Sequence, residues 1–85
     1  NSHMNIFVSH LSHAVTDLHL QLLFGHFGTV ERATVVKDRE TGLSRKFGFV
    51  RMEHSSEAMV AIDKLNGAPL EGSRLVVKIA DTNRN

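Results

Sequence analysis

From Arg45 to Met52 the chain reads Arg-Lys-Phe-Gly-Phe-Val-Arg-Met, and this octapeptide constrains the fold more than any other stretch. A period of two commits it to a β-strand. One parity carries Arg45, Phe47, Phe49 and Arg51, while the other carries Gly48, Val50 and Met52. Phenylalanine is usually buried, so parity alone allows the rings to point into the core. Two arginines on the same parity argue for the opposite placement, with Gly48, Val50 and Met52 forming the face that helices approach.

The segments around this strand complete a pattern. Ile6 to Leu11 is rich in β-formers and reads as a first strand. Thr16 suits a helix N-cap with Asp17 in the first turn, and Leu20, Leu23, Phe24 and Phe27 follow the spacing of a buried helical stripe that Gly28 stops. Val30 to Lys37 suits a second strand, and a turn at Thr41-Gly42 leads into a third, Lys46 to Met52. Ser55 or Ser56 offers an N-cap for a second helix with Ala58, Ala61, Ile62 and Leu65 on its inner side, ending at Asn66-Gly67. After a loop marked by Pro69 and Gly72, Leu75 to Ala80 alternates as a last strand. The order is βαββαβ. Such a split βαβ arrangement is an α+β sandwich of the ferredoxin-like kind: a four-stranded antiparallel sheet with two helices on one face and the other face open.

Composition narrows the function classes. Of 85 residues, 41% are hydrophobic, enough for one compact domain and too few residues for two. The longest apolar runs are only a few residues, so no segment reads as a membrane span. The absence of cysteine removes disulfide frameworks, thiolate metal sites and cysteine nucleophiles. A net charge of +1 is too small for a binder held mainly by phosphate contacts. Position matters more: Lys37, Arg39, Arg45, Lys46 and Arg51 outnumber Asp38 and Glu40 between residues 37 and 51, a local excess of +3 beside two phenylalanines. Asn1 to Met4 include a Ser-His-Met run typical of an expression-vector remnant, which leaves residues 5–81 as the domain and 82–85 as a tail.

Residues 45–52 resemble the RNP1 signature of the RNA recognition motif family, in which a basic residue, Gly, an aromatic, Gly or Ala, Phe, Val, any residue and an aromatic follow one another. Ile6-Phe7-Val8-Ser9-His10-Leu11 resembles the companion RNP2 signature. The resemblance turns the phenylalanines outward and implies a non-enzymatic module that binds single-stranded RNA in RNA processing or post-transcriptional regulation. By that resemblance Phe7 and Phe49 stack on bases, Phe47 packs between sugars, Arg45 meets a phosphate and Arg51 lies close to the strand. Asn5, Ser9, Lys46, Lys78 and Ala80 border the same face, and the backbone of Asp81 to Asn83 reads base edges. Binding dominated by stacking points to pyrimidine runs, uridine-rich ones included. The family also implies an intracellular protein, in nucleus, cytoplasm or organelle, with no small-molecule substrate or cofactor. Three positions depart from the pattern: Lys46 replaces Gly, Met52 replaces an aromatic, and His10 stands where Asn is common.

Other clusters carry less. His10 and His13 lie at a strand end and in a loop, with neither cysteine nor clustered carboxylates to complete a metal site. No nucleophile-elbow pattern or glycine-rich phosphate loop accompanies the Ser, His and Asp residues. Leu18 and Leu22 fall nearly opposite the buried stripe of helix 1, and Val60 is similarly off-stripe on helix 2. Scattered surface leucines need no explanation. The functional alternative is a face on helix 1 for a protein partner or for self-association.

Overall fold

Ile6 and Val8, Val50 and Met52, and Leu75 and Val77 are buried, while the residues between them are not. This alternation builds a sheet with one covered face. In the computed structural model, which describes residues 3–80, the elements are β1 (Met4–Ser9), α1 (Asp17–Gly25), β2 (Val30–Lys37), β3 (Ser44–Met52), α2 (Ser55–Leu65), β4 (Pro69–Leu70), β5 (Ser73–Arg74) and β6 (Val76–Ile79). Strands β2, β3, β1 and β6 lie side by side in that order, every pairing antiparallel. Both helices pack on the same face. Leu20 and Phe24 of α1 and Ala58, Ala61 and Leu65 of α2 close the core over Ile6, Val8, Val50 and Met52. Full burial of a side chain such as Phe24 contributes about 1.5–3 kcal/mol. The expected α+β sandwich is the observed one.

Local differences from the sequence expectations have identifiable causes. Strand β1 runs from Met4 to Ser9 rather than from Ile6 to Leu11, because His10 adopts a φ of 62° that ends the extended backbone. Met4 lies opposite Met52, so it takes part in the sheet. Helix α1 ends at Gly25, ahead of Gly28, and Phe27 packs on the core from the turn that follows. The N-cap of α2 is His54, not Ser55 or Ser56, and it makes no side-chain cap bond. The stretch expected to be a loop holds a two-stranded hairpin, β4–β5, turning through Glu71 and Gly72 at φ 49° and 87°. Both central residues have positive φ, as a tight two-residue hairpin turn requires. Ile79 shares the inward parity of Leu75 and Val77 but sits at the end of an edge strand and stays half exposed.

Five polar side chains, those of Thr16, His19, Asp17, Asn66 and Asp38, fasten the backbone of helix, strand and loop outside the sheet ladders. The Thr16 hydroxyl accepts the His19 N–H while the His19 imidazole accepts the Thr16 N–H, so a histidine completes the capping box of α1. The Asp17 carboxylate accepts the Val35 N–H at 2.7 Å, tying the start of α1 to β2. On the outer edge of β6 the Asn66 amide oxygen accepts the Val77 N–H at 3.0 Å. That bond blunts a strand edge otherwise open to foreign pairing. In the β2–β3 loop the Asp38 carboxylate accepts the N–H groups of Thr41 and Glu40, and these bonds hold its pKa below the ordinary value. The tips of the two sheet-face strands are thereby fixed in place.

Candidate nucleic-acid interface

Cross-strand partners in a sheet share a face, so the register decides which side chains meet. Phe7 lies opposite Phe49 and Ser9 opposite Phe47 across β1–β3, and Asn5 lies opposite Arg51. On the other side of β1, Lys78 is the partner of Phe7. Thr34 and Arg32 of β2 stand against Phe49 and Arg51. All these residues line the face away from the helices.

The three rings form one cluster. Their centroids are 5.7 Å apart for Phe7–Phe47, 5.5 Å for Phe7–Phe49 and 6.3 Å for Phe47–Phe49, the last pair edge to face. These spacings fall in the range that aromatic pairs prefer. Phe49 remains 43% exposed, a large apolar surface to leave in water, and Phe7 and Phe47 are partly covered by each other. Cations flank the cluster on two sides: the Arg45 guanidinium lies 5.9 Å from the Phe47 centroid and the Lys78 ammonium 5.8 Å from that of Phe7. Both are within cation–π reach. A flat, aromatic, cation-flanked platform suits a planar ligand bearing negative charge.

Arg51 is the expected site residue whose charge is already engaged. Its Nε donates to Glu31 at 3.0 Å, and Glu31 also meets the His3 imidazole at 2.9 Å. Glu31 reaches this position because the β2–β3 register shifts between Val30 and Arg32, inserting an extra residue. Ala80 follows β6, its N–H donating to the Asn5 carbonyl at 2.9 Å, so it borders the face with only a methyl group. The segment Asp81 to Asn83, expected to read base edges, and the tail 82–85 lie outside the described residues. Sequence reasoning missed Arg32 and Thr34, because the same register shift breaks the simple alternation of β2. It also missed Arg74, which the β4–β5 hairpin carries to the rim of a basin beside Phe7 and Phe47.

Comparison with known proteins places this geometry in a family. The family model described as RNA recognition motif matches residues 6–76. The chain belongs to the RNA recognition motif family. Among its relatives, the putative RNA-binding protein RbpA of Synechocystis is 40% identical over 96% of this chain and 81% of that protein. The chloroplastic 29 kDa ribonucleoprotein B of Nicotiana sylvestris is 44% identical over 95% of this chain, which spans only 28% of that protein's length. The crystal structure of RNA-binding protein PG1 superposes with a TM-score of 0.91 at 41% identity, covering 96% of this chain and 99% of that one. The second RNA recognition motif of the yeast poly(U)-binding protein Pub1 gives 0.85 at 32%, covering 96% and 99%. The chain is an RNA-binding module rather than an enzyme, and among the described residues no helix is long and apolar enough to cross a membrane.

Within the RNA recognition motif frame, the departures acquire structural meaning. Met52 is fully buried, an adaptable apolar residue filling an inward position. Lys46 has a φ of 69°, the left-handed region that glycine enters freely and a side chain enters at a cost. Its N–H donates to the Ser44 hydroxyl at 2.9 Å and its carbonyl accepts from Leu11 at 3.0 Å, which hold that conformation. Lys46→Gly is expected to stabilise the fold by about 0.5–1 kcal/mol, raising the melting temperature by roughly 2–6 °C. An unchanged or lower melting temperature contradicts strain at this residue.

Proposed function

We propose that the open sheet face binds single-stranded RNA by stacking two neighbouring bases on Phe7 and Phe49. Phe47 packs against the sugars between them. Arg45, Lys46 and Lys78 meet phosphates, and Arg51, its charge partly offset by Glu31, contributes less than sequence suggests. Asn5 and Ser9, opposite Arg51 and Phe47, supply polar groups at the margin, and Ala80 a small apolar contact. One observation carries this reading: three mutually packed rings on the uncovered face, with Phe49 43% exposed and a cation at each flank.

Stacking contributes about 1–3 kcal/mol per base and discriminates little, since every base has a π-face. Pyrimidine-rich and especially uridine-rich strands are therefore accepted, a preference supported by the similarity to a poly(U)-binding protein. The biological role is RNA processing or post-transcriptional regulation inside the cell, in keeping with chloroplastic and cyanobacterial relatives. Phe49→Ala is expected to weaken binding of a short oligouridylate by about 5- to 150-fold while the melting temperature stays near that of the parent. A large thermal loss without an affinity loss would place that ring in the core instead.

A second reading concerns the helical side. Leu18 and Leu22 are 59% and 62% exposed on α1, facing away from the core stripe. This face docks a protein partner or a second copy in that reading. Leu18→Glu with Leu22→Glu is then expected to abolish self-association seen by sedimentation at high concentration or to lose a partner in pull-downs. Parent and variant behaving alike in both assays removes this reading.

A further inference from the structure

Beside the ring cluster the sheet face opens into a basin of about 760 Å³, at the junction of the β1–α1 loop, the start of β3 and the β4–β5 hairpin. The basin is shallow and open to solvent, a shape that lets a nucleotide lie against its floor rather than enclosing it. Its rim carries His10, His13, Arg45, Lys46 and Arg74, and one wall is Phe47. Among the described residues that line it there is no carboxylate.

We infer that this basin is an additional nucleotide subsite, holding the RNA residue next to the stacked pair, with His10 and His13 against its base and Lys46 and Arg74 against its phosphate. The inference rests on the RNA-binding reading of the sheet face. Four observations converge on it. Imidazole rings are among the side chains on which unstacked bases are held, and both histidines are exposed. The Arg74 guanidinium donates to the Gly67 carbonyl at 2.8 Å, a bond that restrains the side chain at the basin's rim and leaves other N–H groups for a phosphate. Lys46 keeps a cation at a backbone position where glycine fits better, a local strain of the kind stored at binding sites. The depression at the opposite margin, beside Phe49, Arg32 and Arg51, is smaller, about 330 Å³, and its Arg51 is paired with Glu31. The strand therefore leaves the rings toward the histidines.

The test is fluorescence anisotropy with labelled oligouridylates of two and eight nucleotides over a range of salt concentration. The variants are His10→Asn combined with His13→Ala, Lys46→Gly alone, and Phe7→Ala combined with Phe49→Ala. Asparagine is chosen at residue 10 because it tolerates positive φ. The histidine variant is expected to lose roughly three- to tenfold in affinity for the eight-mer and less than about twofold for the dinucleotide, which the two rings fill. Lys46→Gly should also weaken the eight-mer, with a salt slope shallower by about 0.7 because one phosphate is no longer neutralised, although its fold is no less stable. Unchanged eight-mer binding by the histidine and Lys46 variants, with binding lost in the phenylalanine variant, overturns the subsite and leaves the sheet-face reading intact. Binding retained by the phenylalanine variant overturns the sheet-face reading itself.

Discussion

The pairing of β1 with β3 in one register governs both halves of the molecule. With Phe7 opposite Phe49, Ile6 falls opposite Val50 and Val8 opposite Gly48, so the same alignment that closes the core gathers the rings on the other face. A slip of one residue would exchange the two sets, burying two arginines and exposing Val50 and Met52. The buried aliphatic set is what prevents it: Ile6, Val8, Val50 and Met52 are all fully covered. Gly48 contributes from below. A Cβ there would lie 3.1 Å from the Val35 Cα and push into the Thr34 carbonyl, so β2 approaches this closely because position 48 carries only hydrogen. The exposed ring platform is thus a consequence of core packing.

The side chains that face water complement the platform's shape. Lys78 lies against Phe7 from β6 and Arg45 against Phe47 from the start of β3, while the Glu31 carboxylate is drawn to Arg51 at one end. Positive charge is therefore concentrated toward the β4–β5 hairpin, where Arg74 and Lys46 rim the basin. On the proposed reading, this asymmetric charge distribution along a flat aromatic surface gives a bound strand a preferred path at little cost in net charge. The modest total of +1 fits the proposal that rings, rather than phosphates, carry most of the affinity.

Element order and the helix faces were legible because each rests on a strong local signal, while the outward turn of the ring triad was legible only from Arg45 and Arg51 on its parity together with the paired signatures. The period of two in residues 45–52, the stripe Leu20/Leu23/Phe24/Phe27 and the Thr16 cap all act within a few residues of chain. What escaped depends on backbone irregularity. The register shift after Val30 moves Arg32 and Thr34 onto the open face against simple alternation, and supplies Glu31 as a partner for Arg51. The positive φ at His10 and Glu71, neither a glycine, ends β1 early and folds Pro69 to Arg74 into a hairpin. That hairpin brings Arg74 to the rim of the basin beside the rings. The bonds from Asp17 to Val35 and from Asn66 to Val77 join residues distant in sequence and leave no periodic trace.

Bases lying on Phe7 and Phe49 are the central claim, and zero-length photocrosslinking tests it directly. Irradiating the 85-residue chain with an oligouridylate carrying 5-iodouridine, then mapping the modified peptides, shows which rings lie on bases. Crosslinks at Phe7 and at Phe49 are the predicted result. Crosslinks confined to α1 or α2, with Phe7, Phe47 and Phe49 unmodified, would contradict it.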